Sequence, residues 1–220
     1  MDHPTSLKER KKQRTRQELI AAGTRLFAER GYDAVTVADI AAEAEVAPRT
    51  FHRYFPDKAE LVFSLYGDQV NDALEQALGA QPAGASPEAV IRAALAAVSQ
   101  LLADHHDEAV VRERVINEVP AVRARALAKG AAQQELIADH LAQRLGVEVD
   151  HDLRPRWWAG VAYATWIAAY QAWLVQGGDL GSLVNAAAAL LDAAAAPKPH
   201  TNRASSRTRD GAPRQRRGST

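Results

Sequence analysis

Arg49, Thr50, His52, Arg53, Tyr54 and Lys58 place six hydrogen-bonding side chains within ten residues. Guanidinium, hydroxyl, imidazole and ammonium groups at this density suit phosphate oxygens and base edges, where arginine donates as a planar fork and lysine neutralises a backbone charge. Covalent and metal chemistry find no comparable footing. There is no cysteine, which excludes disulfides, thiolate catalysis and cysteine-based zinc sites. No nucleophile elbow, P-loop or H-E-x-x-H pattern occurs, so the expectation is a protein that is not an enzyme, with no catalytic residue and no cofactor. His105, His106, Asp107 and Glu108 are contiguous; sustained metal sites draw ligands from separate elements, so this run reads as a polar loop between helices and no metal is expected.

The donors are useful only if one element projects them together. Thr36 followed by Asp39 is a capping-box-like start, and Val37, Ile40, Ala41 and Ala44 recur at helical spacing, which predicts a short helix from Val37 with one apolar face. Pro48 cannot continue that helix but suits the first position of a new one, so a turn of about three residues falls over 45–47. In the second helix Phe51 and Phe55 share the inward face, while Arg49, Thr50, His52, Arg53 and Tyr54 project outward. Asp57 with Glu60 caps a further helix, and Lys58 in its first turn is expected to clamp a phosphate. Ile40, Val46, Phe51, Phe55 and Leu61 are expected to be core. Residues 36–55 thus form a helix-turn-helix whose reading set is Thr36, Pro48, Arg49, Thr50, His52, Arg53, Tyr54 and Lys58.

Several spaced motifs over about 45 residues make the segment from Arg16 to Leu61 resemble the N-terminal domain of TetR-type transcriptional regulators. They are Arg16, Leu19, Ala22, Leu26, Phe27, Gly31 and Tyr32, then the T-V-x-D-I-A run, then T-F-x-x-Y-F-x-x-K-x-x-L. The chain departs from that pattern at Glu45, where the family usually has the turn glycine, at Ala47 for the N-cap serine, at Arg49 for a glycine and at His52 for a tyrosine. The A-P-R-T-F-x-R-Y-F variant and the stretch Asn117–Arg125 are similar to the mycofactocin-type and acyl-CoA-responsive branch. The resemblance implies a homodimer on a palindromic double-stranded DNA operator, most often a repressor, and a small hydrophobic or acyl-CoA-like effector whose binding moves the connecting helix.

The net charge of zero suits a DNA binder only once the charges are located. Residues 1–16 hold six basic and two acidic residues (+4), and 197–220 hold seven and one (+6). The interior over 63–196 holds nine basic and sixteen acidic residues (−7). Basic ends on an acidic body present one face to DNA. The charged N-terminus lacks the apolar stretch of a signal peptide, which predicts a cytoplasmic protein. Residues 157–178 run 22 positions without a charge, the length of a membrane span; Tyr163, Thr165, Gln171 and Gln176 dilute the run, and burial between helices in a dimer is the better account, so no membrane partner is expected.

The predicted fold is all-α, about nine helices, with an N-terminal three-helix DNA-binding domain and a C-terminal helical domain for effector binding and dimerisation. Residues 1–12 read as a mobile basic arm, 13–73 as the DNA-binding domain, 74–196 as the effector and dimerisation domain, and 197–220 as a disordered basic tail. The first helix starts at a Thr15/Glu18 cap and runs to Arg30. A single helix over 58–78 links the domains. Later helices cover about 87–104, 107–118, 121–145, 155–176 and 179–195.

On the helix over 155–176, Gly160, Ala164, Ala168 and Ala172 form a small-residue stripe, and Tyr163, Trp166, Tyr170 and Trp173 an aromatic one. The small stripe, with Leu183, Val184, Leu190 and Leu191 of the last helix, is expected at the dimer interface. The aromatic stripe has two readings, ordinary core or the lining of a ligand pocket, for which Arg112, Asn117, Trp158, Tyr163 and Trp166 are the candidate residues. The competing functional reading is a helical small-molecule binder or enzyme in which the helix-turn-helix is only scaffold.

Overall fold

The computed structural model describes residues 7–64 and 67–195, whose regular structure is all helical. Helix α1 (Leu7–Arg30) ends at Gly31, which leaves the helix through the left-handed region at φ 79°. It starts eight residues before Thr15, so residues 7–12 are helical and not a mobile arm, and Thr15 caps nothing. Lys, Glu, Arg and Gln are good helix formers, and Glu9–Lys12 at 3.6 Å and Arg14–Glu18 at 2.8 Å pair one turn apart along the segment.

The helix-turn-helix forms as its residues predict. In α2 (Val37–Glu43) the Thr36 hydroxyl accepts from the Asp39 amide at 3.1 Å while Asp39 Oδ2 accepts from the Thr36 amide at 2.8 Å, a reciprocal capping box. The missing turn glycine is answered by Glu45, which takes φ 54° itself. Its amide donates to Ala42 O at 3.0 Å and that of Val46 to Ala41 O at 2.9 Å, the Schellman closure normally built on glycine. Helix α3 (Pro48–Tyr54) opens on Pro48, with no side-chain cap at Ala47.

The expected connector over 58–78 is two elements, α4 (Lys58–Ser64) and α5 (Gly67–Gly79), with 65–66 outside the described residues. There follow α6 (Pro87–Leu102), α7 (His106–Glu118), α8 (Pro120–Leu145), α9 (Leu153–Gln176) and α10 (Leu180–Ala195). Ser86 and Asp152 cap α6 and α9 by accepting from Ala89 and Arg154 amides. His106 to Glu108 form the first turn of α7 and not a loop: the His106 Nε2–H donates to Trp173 O at 3.0 Å, its ring edge-on to that indole. The tail over 197–220 lies outside the described residues.

Two apolar cores organise these helices. One joins α1 to α4 through Leu19, Phe27, Ile40, Phe51, Phe55 and Leu61, and also takes in Val115 and Ile116 of α7 and Val122 of α8. Val46 is half-buried at its edge. The other begins with Val70 and Leu74 of α5 and continues through α6, α8, α9 and α10. The cores therefore divide between α4 and α5, ahead of the residue-73 boundary expected from the sequence. The first core is completed by helices of the second body, so the helix-turn-helix domain cannot change position without repacking against α7 and α8. No described helix is long and apolar enough to cross a membrane.

Candidate functional site

The α3 surface is built around its buried side. Phe51 and Phe55 are buried with ring centroids 5.4 Å apart, which turns Arg49, His52 and Arg53, spaced at i, i+3 and i+4, into solvent together with Pro48. Arg53 lies over the Tyr54 ring at 5.1 Å, which orders the guanidinium on an exposed face. Thr50 and Tyr54 are half-buried at the margin. Thr36 is exposed, its hydroxyl engaged with Asp39.

Lys58 departs from expectation. Its ammonium donates to Tyr32 O at 2.7 Å and Val35 O at 2.9 Å and sits 4.1 Å from the centre of the Tyr32 ring. Two of its three donors hold the loop between α1 and α2, so it is a brace for the helix-turn-helix and not an outward clamp.

A cavity of about 380 Å³ lies among α4 to α9, within the range that takes small ligands. Of the five candidate lining residues, Arg112, Asn117, Tyr163 and Trp166 line it. Trp158 does not: it packs edge-on to Trp157 and against the second core. The floor is apolar, with Leu74, Leu95, Val98 and Ile137. Phe63 of α4 and Lys129, Gln133 and Gln134 of α8 also line it, and no local pattern singled them out. Gly130 permits a close approach in the wall, since a Cβ there would lie 2.8 Å from the Tyr163 hydroxyl.

Polar groups in the wall are mostly matched to one another. Arg112 donates to the Tyr170 hydroxyl at 3.3 Å, and burial pushes that phenol above its ordinary pKa. Glu113 accepts from Gln171 at 2.9 Å and Asn117 at 3.3 Å, and Arg123 donates to Asn117 O. Trp166 stacks on Tyr170 at 5.5 Å, so the aromatic stripe is both core and cavity lining.

Arg125 and Lys129 of α8 tie it to the start of α4, and Arg125 also lies 3.9 Å from Glu60. Arg125 bonds both carboxylate oxygens of Asp57, whose Oδ1 also accepts from the Glu60 amide and so starts α4. Lys129 pairs with Glu60 at 3.2 Å and lies 5.4 Å from the Phe63 ring centre.

The outer face of α9 and α10 is apolar and uncovered. Trp157, Ile167, Val175 and Leu190 are exposed, Val175 at 89%; Ala164 and Ala168 are exposed beside half-buried Gly160 and Ala172. Val184 is not at an outer interface: it is 3% exposed in the second core, with Leu183 packed against the same core. The α10 face that carries them looks inward, toward α6 and α9. Placement of the Leu191 side chain lies outside the described residues.

Residues 19–65 match the family model of bacterial regulatory proteins of the tetR family, and residues 85–196 match that of the MftR C-terminal domain. The chain is 32% identical over 193 residues to the HTH-type transcriptional regulator TcmR of Streptomyces glaucescens, covering 84% of this chain and 85% of that one. It is 27% identical over 165 residues to MftR of Mycobacterium tuberculosis, described as a mycofactocin biosynthesis transcriptional regulator, covering 75% and 82%. Thermus thermophilus FadR, solved with lauroyl-CoA, shares the fold at a TM-score of 0.57 and 22% identity, over 83% of this chain and 96% of that one. With its helix-turn-helix domain and most of its second body each matched, the chain belongs to the TetR family of bacterial transcriptional regulators.

Proposed function

We propose that the protein is a homodimeric repressor that leaves a palindromic operator when a small hydrophobic or acyl-CoA-like effector fills the α4–α9 cavity. The observation that carries this reading is the shared wall: Phe63, on the helix that follows the recognition helix, lines the cavity. An occupant that favours one position of α4 over another must shift the DNA-binding equilibrium by its differential affinity for the two.

On this reading Arg49 and His52 face the major groove, and Arg53, Thr50, Tyr54 and the Pro48 end of α3 meet the flanking backbone. Thr36 presents the N-terminal end of α2 to a phosphate, and Lys58 acts by holding that end in place. Dimerisation through Trp157, Gly160, Ala164, Ala168, Ala172 and Leu190 would cover the exposed apolar face, and it would set two recognition helices on successive grooves. FadR, solved with lauroyl-CoA and, from Bacillus subtilis, with stearoyl-CoA, supports an acyl chain as the kind of group the apolar floor takes.

Footprinting of the DNA flanking the gene, at low salt, tests the reading. A two-fold symmetric protected site, a dimer by sedimentation and loss of protection on adding dodecanoyl-CoA are the expected results. Binding by a monomer, or protection that no apolar metabolite alters, overturns it.

A further inference from the structure

On the reading that the α4–α9 cavity takes the effector, we propose that Lys129 transmits its occupancy to the DNA-binding domain and that release requires an acidic group on the effector. A carboxylate or phosphate entering the cavity draws the Lys129 ammonium from Glu60 and breaks one of the ties from α8 to α4.

The same ammonium serves both places. Lys129 lines the cavity and is 3.2 Å from Glu60 in the first turn of α4. Phe63, one turn further along α4, is buried, lines the cavity and lies under the Lys129 ammonium. Among the described residues the wall carries three cations, Arg112, Arg123 and Lys129, and one carboxylate, that of Glu113, which is already bonded by Gln171 and Asn117. An anion over the apolar floor therefore meets a positive wall. Of the three cations, Lys129 is the one whose carboxylate partner stands on α4.

The second tie makes the loss directional. Arg125 holds Asp57 by two bonds and does not line the cavity. When Lys129 leaves Glu60, Arg125 keeps its two bonds to Asp57 and its place 3.9 Å from Glu60, so α4 is loosened on its Lys129 side, stays pinned at Asp57 and does not detach. A neutral ligand of the same shape fills the cavity without competing for the ammonium and leaves both ties in place.

The test uses the full chain, a labelled duplex carrying the footprinted site and three probes with one twelve-carbon chain: dodecanoate, dodecanoyl-CoA and dodecan-1-ol. Tryptophan quenching follows binding, because Trp166 lines the cavity, and anisotropy follows DNA release. At matched occupancy at least one anionic probe is expected to weaken DNA binding about three- to five-fold more than the alcohol, the scale of one partly exposed ion pair. Release by dodecanoate assigns the role to a carboxylate, and release by dodecanoyl-CoA alone assigns it to a phosphate. At matched occupancy Lys129→Met releases DNA no better with the anionic probe than with the alcohol, whereas Lys129→Arg keeps the difference. Glu60→Gln also abolishes the difference, and carries the comparison if Lys129→Met does not fold. Equal release by all three probes, or an anion dependence that survives Lys129→Met, overturns the role of Lys129 and leaves the cavity as the effector site. DNA binding unaltered by any probe, with no quenching, overturns the cavity reading and this role with it.

Discussion

The guanidinium of Arg125, on α8, donates at 2.9 and 2.6 Å to both carboxylate oxygens of Asp57, the residue that caps α4. One carboxylate thus starts the helix behind α3 and fastens it to the second body. Asp57→Ala is expected to lose the cap, at about 1 kcal/mol in urea denaturation, and to weaken the response of DNA binding to effector. Arg125 holds the Asp57 carboxyl below its ordinary pKa. A depressed folded-state value means that this contribution is present above the unfolded carboxylate range and lost as pH falls through and below about 4. Asp57→Asn should flatten that acid limb; an unchanged limb would remove Asp57 from the account.

Glu45 occupies the left-handed region at φ 54° in the turn of the helix-turn-helix. A side chain there crowds the following carbonyl, which glycine avoids at some cost in unfolded-state entropy. Glu45→Gly is expected to stabilise the protein by about 0.5–1 kcal/mol, seen as a higher Tm at unchanged DNA affinity. A lower Tm would mean that the Glu45 side chain contributes more than its backbone costs.

Gly130 and Tyr163 lie in close contact in the cavity wall. In Gly130→Ala the new methyl would sit 2.8 Å from the Tyr163 hydroxyl and 3.1 Å from Cε2, so the ring must move. Overpacking costs about 1–3 kcal/mol, offset by about 1 kcal/mol of helix propensity. Global stability should therefore fall little, while affinity for a cavity ligand drops several-fold by tryptophan quenching. Ligand affinity equal to wild type would show that the wall adapts.

Arg49 and Arg53 differ in what surrounds them, and their variants should differ too. Arg49 is exposed near the start of α3, whereas Arg53 lies over the Tyr54 ring. Arg49→Ala is expected to cost about 1–3 kcal/mol of operator affinity and relax preference at one base pair. Arg53→Ala should weaken all sequences alike and lower the salt slope by about one. Operator variants that Arg49→Ala ranks as the wild type does would end its base-reading role.

His140, on α8, has a buried Nε2 with no partner among the described residues. Burial, and next Arg144, push its pKa below the ordinary value. The unfolded chain then binds a proton that the folded chain resists, so stability is full at high pH and declines as pH falls below about 6.5. His140→Leu should remove that decline in denaturation midpoints between pH 7 and 5.5; persistence of the decline would point to another group.

Local sequence carried the helix-turn-helix because each of its devices is short-range. Thr36 and Asp39 are three residues apart, Pro48 acts on its own peptide, and Phe51 and Phe55 share a face by the 3.6-residue period. The same period brought Tyr163 and Trp166 to notice as a stripe, but it says which residues share a face and not what that face meets. Trp158, one position outside the stripe, therefore packs away from the cavity, and Val184 turns inward where an interface was expected. Lys58 carried the charge of a phosphate clamp, yet its partners, the carbonyls of Tyr32 and Val35, stand 26 and 23 residues upstream.

Composition, caps and periodicity determined by themselves that this chain is all-helical, that residues 36–55 form a helix-turn-helix and which side of α3 points outward, since those choices rest on neighbours within a turn or two. Only the tertiary structure decided that Phe63 and Lys129 share a cavity wall and that Arg125 holds Asp57 from 68 positions away. Contacts between helices depend on how whole apolar faces dock, and no local spacing records which faces will meet.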